Sequence, residues 1–196
     1  MNSGNKPIKN FIGNRLANKK ILDLGCGDCS FIGMFDDVDK DRYFGLELDE
    51  ERVRIAQNKG YNAKTCNLEA KKLPFEKENF DVVIVKDILE HLYNFVGLIE
   101  ESRRVLKNRG ILFISVPSEW SQLLWDDYDH KRGFTLNSIR ELLAKLGFVI
   151  IRDEKYQDLI KFKTSRLKYP MRYIFKVLTG IDFITQGYLV EARKRE

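Results

Sequence analysis

Cysteine is scarce in this chain of 196 residues: Cys26, Cys29 and Cys66 are the only three. That number excludes a disulfide framework and suits a reduced, cytoplasmic protein. Long apolar runs are missing too. No stretch approaches the roughly 18 residues of a membrane span, and the opening MNSGNKPIKN lacks the apolar core of a secretory signal. There is no GxxxxGK[ST] run, which excludes a P-loop. No internal repeat or low-complexity tract interrupts the chain. Histidine is limited to His91 and His130, in unrelated contexts. With Cys66 they do not complete a four-ligand zinc site around Cys26-x-x-Cys29. Thioredoxin-like fold signals are absent as well, so no metal or redox centre is expected.

What is present is a globular composition, 43% hydrophobic and 32% charged, in a chain long enough for one domain with its own core. Apolar runs alternate with helical patterns. Strands are expected at Lys20–Leu24, Arg42–Leu48, Asn62–Cys66, Phe80–Val85, Ile111–Val116, Phe148–Ile151 and Tyr188–Ala192. Helices are expected after the Gly25–Gly27 turn through Phe31, Met34 and Phe35, capped by Asp28 or Ser30. Further helices follow from Glu50 with Asp49 as cap, from Phe95 to Leu106 with Asn108-Arg109-Gly110 as stop, and from Thr135 to Gly147. Such alternation predicts a mostly parallel sheet covered on both faces. Its ligand crevice then lies at the carboxyl ends of the strands.

The stretch ILDLGCGDCS (residues 21–30) carries that crevice's signature. A strand, then Gly25-x-Gly27, then a helix lets a ligand approach backbone N–H groups. Ser30 stands where a dinucleotide fingerprint has its third glycine, which counts against NAD or FAD. Glu47, at the end of the second strand, has the spacing of an acid that accepts from ribose hydroxyls. Asp49 reads as a helix cap.

Several further segments follow in order: FGLELDEERV, LPFEKENFDVVIV, DILEHLYN, ESRRVLKNRGILFISVP and DHKRGFTLNSIRELLAKLGF. With DLGCGD they make residues 20–148 resemble a class I S-adenosylmethionine-dependent methyltransferase of the small type, similar to the ubiquinone-biosynthesis-like methyltransferases. The resemblance implies an α/β, Rossmann-like, doubly wound fold. Its sheet is seven-stranded and mostly parallel, with an antiparallel last strand and helices on both faces. It implies S-adenosylmethionine as cofactor and S-adenosylhomocysteine as product. Asp23, Gly25, Cys26 and Gly27 are implied at the methionine end and Glu47 with Leu48 at the ribose. Asn67 and Leu68 are implied at the adenine, with Asn67 in place of the family's commoner aspartate. Cys26 is then a small residue filling a tight turn. Lys86 and Asp87 fall between cofactor and acceptor.

Methyl transfer needs a base only if the acceptor must lose a proton. The candidates are His91, His130, Asp87 and Asp126. His130 lies in WDDYDHKRGF, read as an acceptor lid walled by Trp120, Trp125 and Tyr128. The expected architecture is one methyltransferase domain over 1–196, with a short N-terminal cap at 1–19 and a basic insertion at 155–181. The insertion holds seven Lys or Arg against the single acid Asp158, more positive charge than the whole chain's net +5. A small-molecule or lipid-like acceptor methylated on O or N is the expected substrate. Nucleic acid is the less favoured partner, since no RNA-binding module signature accompanies the basic segment. A non-catalytic cofactor-binding scaffold, or a methyltransferase of RNA or protein, are the competing readings. Oligomeric state is not readable.

Overall fold

The computed structural model describes residues 5–70, 72–156, 177–178 and 185–196. Its centre is strand β1 (Ile21–Leu24), in which every residue is buried. β1 pairs in parallel with β2 (Tyr43–Glu47) on one side and β4 (Phe80–Lys86) on the other. β3 (Asn62–Thr65) extends the sheet beyond β2, and β5 (Leu106–Pro117) extends it beyond β4. β7 (Gly187–Lys194) lies between β5 and β6 (Phe148–Tyr156), antiparallel to both. The order β3-β2-β1-β4-β5-β7-β6 matches the expected mixed sheet.

Side chains alternate across each strand, so the core forms two layers. On one face Leu22, Leu24, Val83, Val85, Leu112 and Ile114 meet α3 (Phe95–Val105) and α5 (Leu136–Lys145). On the other, Ile21, Tyr43, Val82, Ile84 and Phe113 meet α1 (Asn5–Ile12) and α2 (Glu50–Asn58). Each fully buried aliphatic contributes about 1.5–3 kcal/mol. The caps are as expected: Asp49 accepts from the Glu51 and Arg52 amides, and Thr135 with Ser138 forms a capping box.

Three local expectations are corrected. No α-helix follows the glycine turn. The segment holds only a 3-10 turn over Ile32–Met34. Cys29 has a left-handed backbone (φ 60°) that interrupts helix initiation, and Phe31, Ile32 and Phe35 are instead spent on the core. Asn108-Arg109-Gly110 is no stop, because α3 already ends at Val105 and β5 runs from Leu106, with Arg109 absorbing a φ of 61° inside it. β6 extends to Tyr156, because β7 runs on to Gly187 and pairs with it.

The N-terminal segment is a packed element. Phe11 on α1 meets Phe113 edge-to-face at 6.2 Å. Glu191 on β7 is buried and accepts from Arg15 (3.0 Å) and Arg152 (2.7 Å), tying this corner to the sheet. Most of the basic insertion expected at 155–181 lies outside the described residues. Among the described residues no helix is long and apolar enough to cross a membrane.

Candidate active site

Strand order reverses between β1 and β4, and a crevice opens there at the carboxyl ends. It holds a cavity of about 870 Å³. The turn after β1 forms its floor. Gly25 and Cys26 donate their amides to the Leu46 carbonyl (2.8 and 3.1 Å). Gly25 needs to be glycine twice over: its φ is 77°, and a Cβ there would stand 2.0 Å from Ile88 Cδ1. Gly27 (φ 56°) donates its amide to Glu47 Oε2 at 2.8 Å, and a Cβ there would meet nothing within 4 Å. Backbone therefore presents itself to the cavity with room left for a ligand. Cys26 lies over β2, where a Cβ on Gly45 would come 2.5 Å from its Sγ. The Cys26 thiol is pushed well above the ordinary range by its Cys29 neighbour and by burial, so it stays protonated. These are features of a filler in a tight turn.

Asp23 sits beneath the turn, 3% exposed. Burial pushes its pKa up to about 6, opposed by the Tyr43 hydroxyl, which donates to it at 2.9 Å, and by the Lys86 charge. A buried carboxylate with so little compensation is poised for a cationic group. Glu47 is held by backbone alone: besides Gly27, the amides of Leu48 (2.8 Å) and Asp49 (3.1 Å) donate to Oε1. Asn67 Oδ1 accepts from the Glu69 amide (2.9 Å), and Glu69 accepts from the amides of Tyr93 and Asn94, closing the far wall. Leu48 and Leu68 add apolar surface.

Past β4, Lys86 pairs with Asp87 at 2.8 Å. Burial opposes the lysine's charge, but Asp87 and Asp23 together hold its pKa above the usual value. Asp87 has a left-handed backbone (φ 51°), fixed by its amide to the Ser115 carbonyl and by the Ser115 hydroxyl on Oδ1 (2.7 Å). His91 lines the same cavity, with Nδ1 3.1 Å from Asp129 Oδ2. His130 does not line it, but its ring lies 4.5 Å from that of His91. Trp120, Trp125 and Tyr128 are exposed and do not line it either. The wall expected from those aromatics is made instead by Asp129 and Lys131.

Sequence reasoning missed Glu90, Glu69, Asp129 and Lys131. Glu90 is 1% exposed, and burial with the nearby Asp87 charge pushes its pKa up to about 8. Its adjacency to His91 was the available signal. Asp129 and Lys131 gave none, because only the folded loop brings them to the cavity.

A glycine turn, a strand-end acid and a cavity at the switch point of this sheet define the class I methyltransferase fold. More particularly, residues 22–114 match the family described as "Methyltransferase domain". A probable S-adenosylmethionine-dependent methyltransferase of Mycolicibacterium smegmatis is 26% identical over 143 residues, 71% of this chain and 55% of that protein. A ubiquinone biosynthesis O-methyltransferase of Pelagibacter ubique is 27% identical over 119 residues, 58% of this chain and 45% of that protein. The solved structure of an S-adenosylmethionine-dependent methyltransferase from Archaeoglobus fulgidus shares the fold. Its TM-score is 0.78 at 18% identity, over 97% of this chain and 93% of that one. Residues 22–114 thus match a methyltransferase domain, in a chain similar to S-adenosylmethionine-dependent methyltransferases, and that likeness implies S-adenosylmethionine as cofactor. It spans about half the length of these two curated relatives.

Proposed function

We propose that this protein transfers a methyl group from S-adenosylmethionine to an O or N atom of a small-molecule or lipid-like acceptor, in the cytoplasm. One observation carries the reading. Asp23, Gly25, Cys26, Gly27 and Glu47, with Leu48, Asn67, Leu68 and Lys86, all line one cavity, although they come from separate elements. Asp23 and the glycine-turn amides are assigned to the charged amino-acid end of the cofactor. Glu47 is assigned to the ribose hydroxyls, since a carboxylate accepts from two O–H donors. Asn67 and Leu68 are assigned to the adenine. Asn67 Oδ1 already accepts one amide, and its NH2 remains to serve a ring nitrogen.

Asp87 and His91 form the acceptor end, with His130 behind His91. The cofactor supplies the electrophile, so these residues position the nucleophile and accommodate its proton. A metabolite extract incubated with methyl-labelled cofactor tests the proposal. One labelled product, lost with Glu47→Ala, is expected. Absence of any labelled product alongside intact cofactor binding would favour a non-catalytic binding protein.

A further inference from the structure

Glu90, His91 and His130 each offer one ligand atom, and these atoms lie within 4.8 Å of one another. Two imidazoles and a carboxylate from a turn and a facing loop are a donor set for a divalent transition-metal ion with open positions. Three independent features make this more than proximity. First, one carboxylate oxygen of the buried Glu90 has no hydrogen-bond partner. A buried carboxyl oxygen left so is costly unless a partner meets it. Second, both imidazoles are oriented through Nδ1. His130 Nδ1 lies 2.7 Å from the Leu124 carbonyl, and His91 Nδ1 lies 3.1 Å from Asp129. A carbonyl or carboxylate oxygen only accepts, so Nδ1 carries the hydrogen in each ring and Nε2 keeps its lone pair. That second contact is the usual outer shell of a metal-bound histidine. Third, the two halves are already joined. Lys131 donates its amide to the Glu90 carbonyl (2.8 Å) and its ammonium to the His91 carbonyl.

We infer that Glu90, His91 and His130 bind one divalent transition-metal ion at the acceptor end of the cavity. Ligands about 2.1 Å from a shared ion lie roughly 3.0–3.4 Å apart, so the cluster closes by about 1–2 Å on binding, within reach of side-chain rotation. His91 also lines the cavity, which puts the ion beside the acceptor. The inference rests on the proposed methyl transfer only for its use. An acceptor hydroxyl on the metal is more acidic. Its proton leaves to water, its oxygen forms the new C–O bond, the C–S bond breaks and S-adenosylhomocysteine departs. With the ion bound, acidification by the metal takes the place of the proton-accepting role proposed above for His91 and His130, which serve as its ligands.

The test is calorimetric titration of the full, chelator-stripped chain with Zn2+ and with Co2+, each followed by S-adenosylmethionine. One equivalent of metal is expected. Glu90→Gln and His130→Ala should each weaken it by at least tenfold. Asp129→Asn, on an exposed residue that leaves the fold intact, should weaken it by roughly 10-fold as an outer-shell loss. A Cys26→Ser, Cys29→Ser double variant should keep full metal affinity. If the wild type takes up no metal but binds S-adenosylmethionine, the metal site is wrong and the methyltransferase reading stands. If metal binds and the cofactor does not, the methyltransferase reading falls instead. Wild-type metal affinity retained in both Glu90→Gln and His130→Ala places the ion elsewhere and overturns the inference.

Discussion

The two walls of the cavity are built in opposite ways. On the side of β1 and β2, backbone does the work: glycines at positive φ, amides fanned onto Glu47, and a buried Asp23 below. On the side of the Leu89–His91 turn and the Asp127–Lys131 loop, side chains do it, meeting across a long sequence separation. The first wall is continuous with the core, so damage to it should register as stability. The second is partly exposed and should register as chemistry alone.

That contrast is sharpest at Gly25. Gly25→Ala forces a Cβ to 2.0 Å from Ile88 Cδ1 at a φ of 77°. Overpacking and left-handed strain together cost about 2–5 kcal/mol, read by denaturant unfolding. A wild-type midpoint would break the comparison.

Asp23 gives the next largest effect, through pH. Its folded pKa of about 6 lies above the ordinary aspartate value of 3.8. Between those values the folded state binds more protons than the unfolded state, so stability falls as pH rises through the window. The difference reaches about 3 kcal/mol by pH 7. Unfolding of Asp23→Asn across pH 4–7 should lose this share of the slope, keeping only the part that the raised Glu90 carboxyl contributes. An identical slope in the variant would assign it to another group.

Glu47→Gln keeps the shape but weakens charge-assisted bonds from Gly27, Leu48 and Asp49. Losses of about 1.5–3 kcal/mol in cofactor affinity are expected, seen as roughly 10- to 100-fold in calorimetry. Unchanged affinity would remove Glu47 from the binding wall.

The smallest effect belongs to the exposed loop. Tyr128→Ala and Trp125→Ala remove side chains that are exposed and do not line the cavity, so stability should stay within about 0.5 kcal/mol. A larger loss would show that this wall is also structural.

The same contrast governs what the sequence revealed. That Gly25, Gly27 and Glu47 meet at one turn was legible because local backbone geometry demands those residue types at that spacing. Strands β1, β4 and β5 were legible as β-branched or apolar runs buried on both faces. The missing helix after the turn was not, because Phe31, Ile32 and Phe35 fit a helical face as well as a packed loop. Only the positive φ at Cys29 separates the two. His91 and His130 were legible as candidates one at a time, but not as a cluster with Glu90. Nothing local in WDDYDHK marks which residues turn toward Leu89–His91. Trp120, Trp125 and Tyr128 misled for the same reason: aromatic composition marks a functional loop without saying which side chains face inward.

The central claim is that the backbone-built wall binds S-adenosylmethionine, and Gly27 tests it most directly because its Cβ position is empty. Calorimetric titration of wild type and Gly27→Asn with S-adenosylmethionine, with NAD as control, is the measurement; asparagine fills the empty space while tolerating the left-handed φ of 56°. The account predicts one-site binding of S-adenosylmethionine to wild type, none of NAD, and loss of binding in a folded Gly27→Asn. Absence of binding to wild type, or equal affinity in the variant, would contradict it.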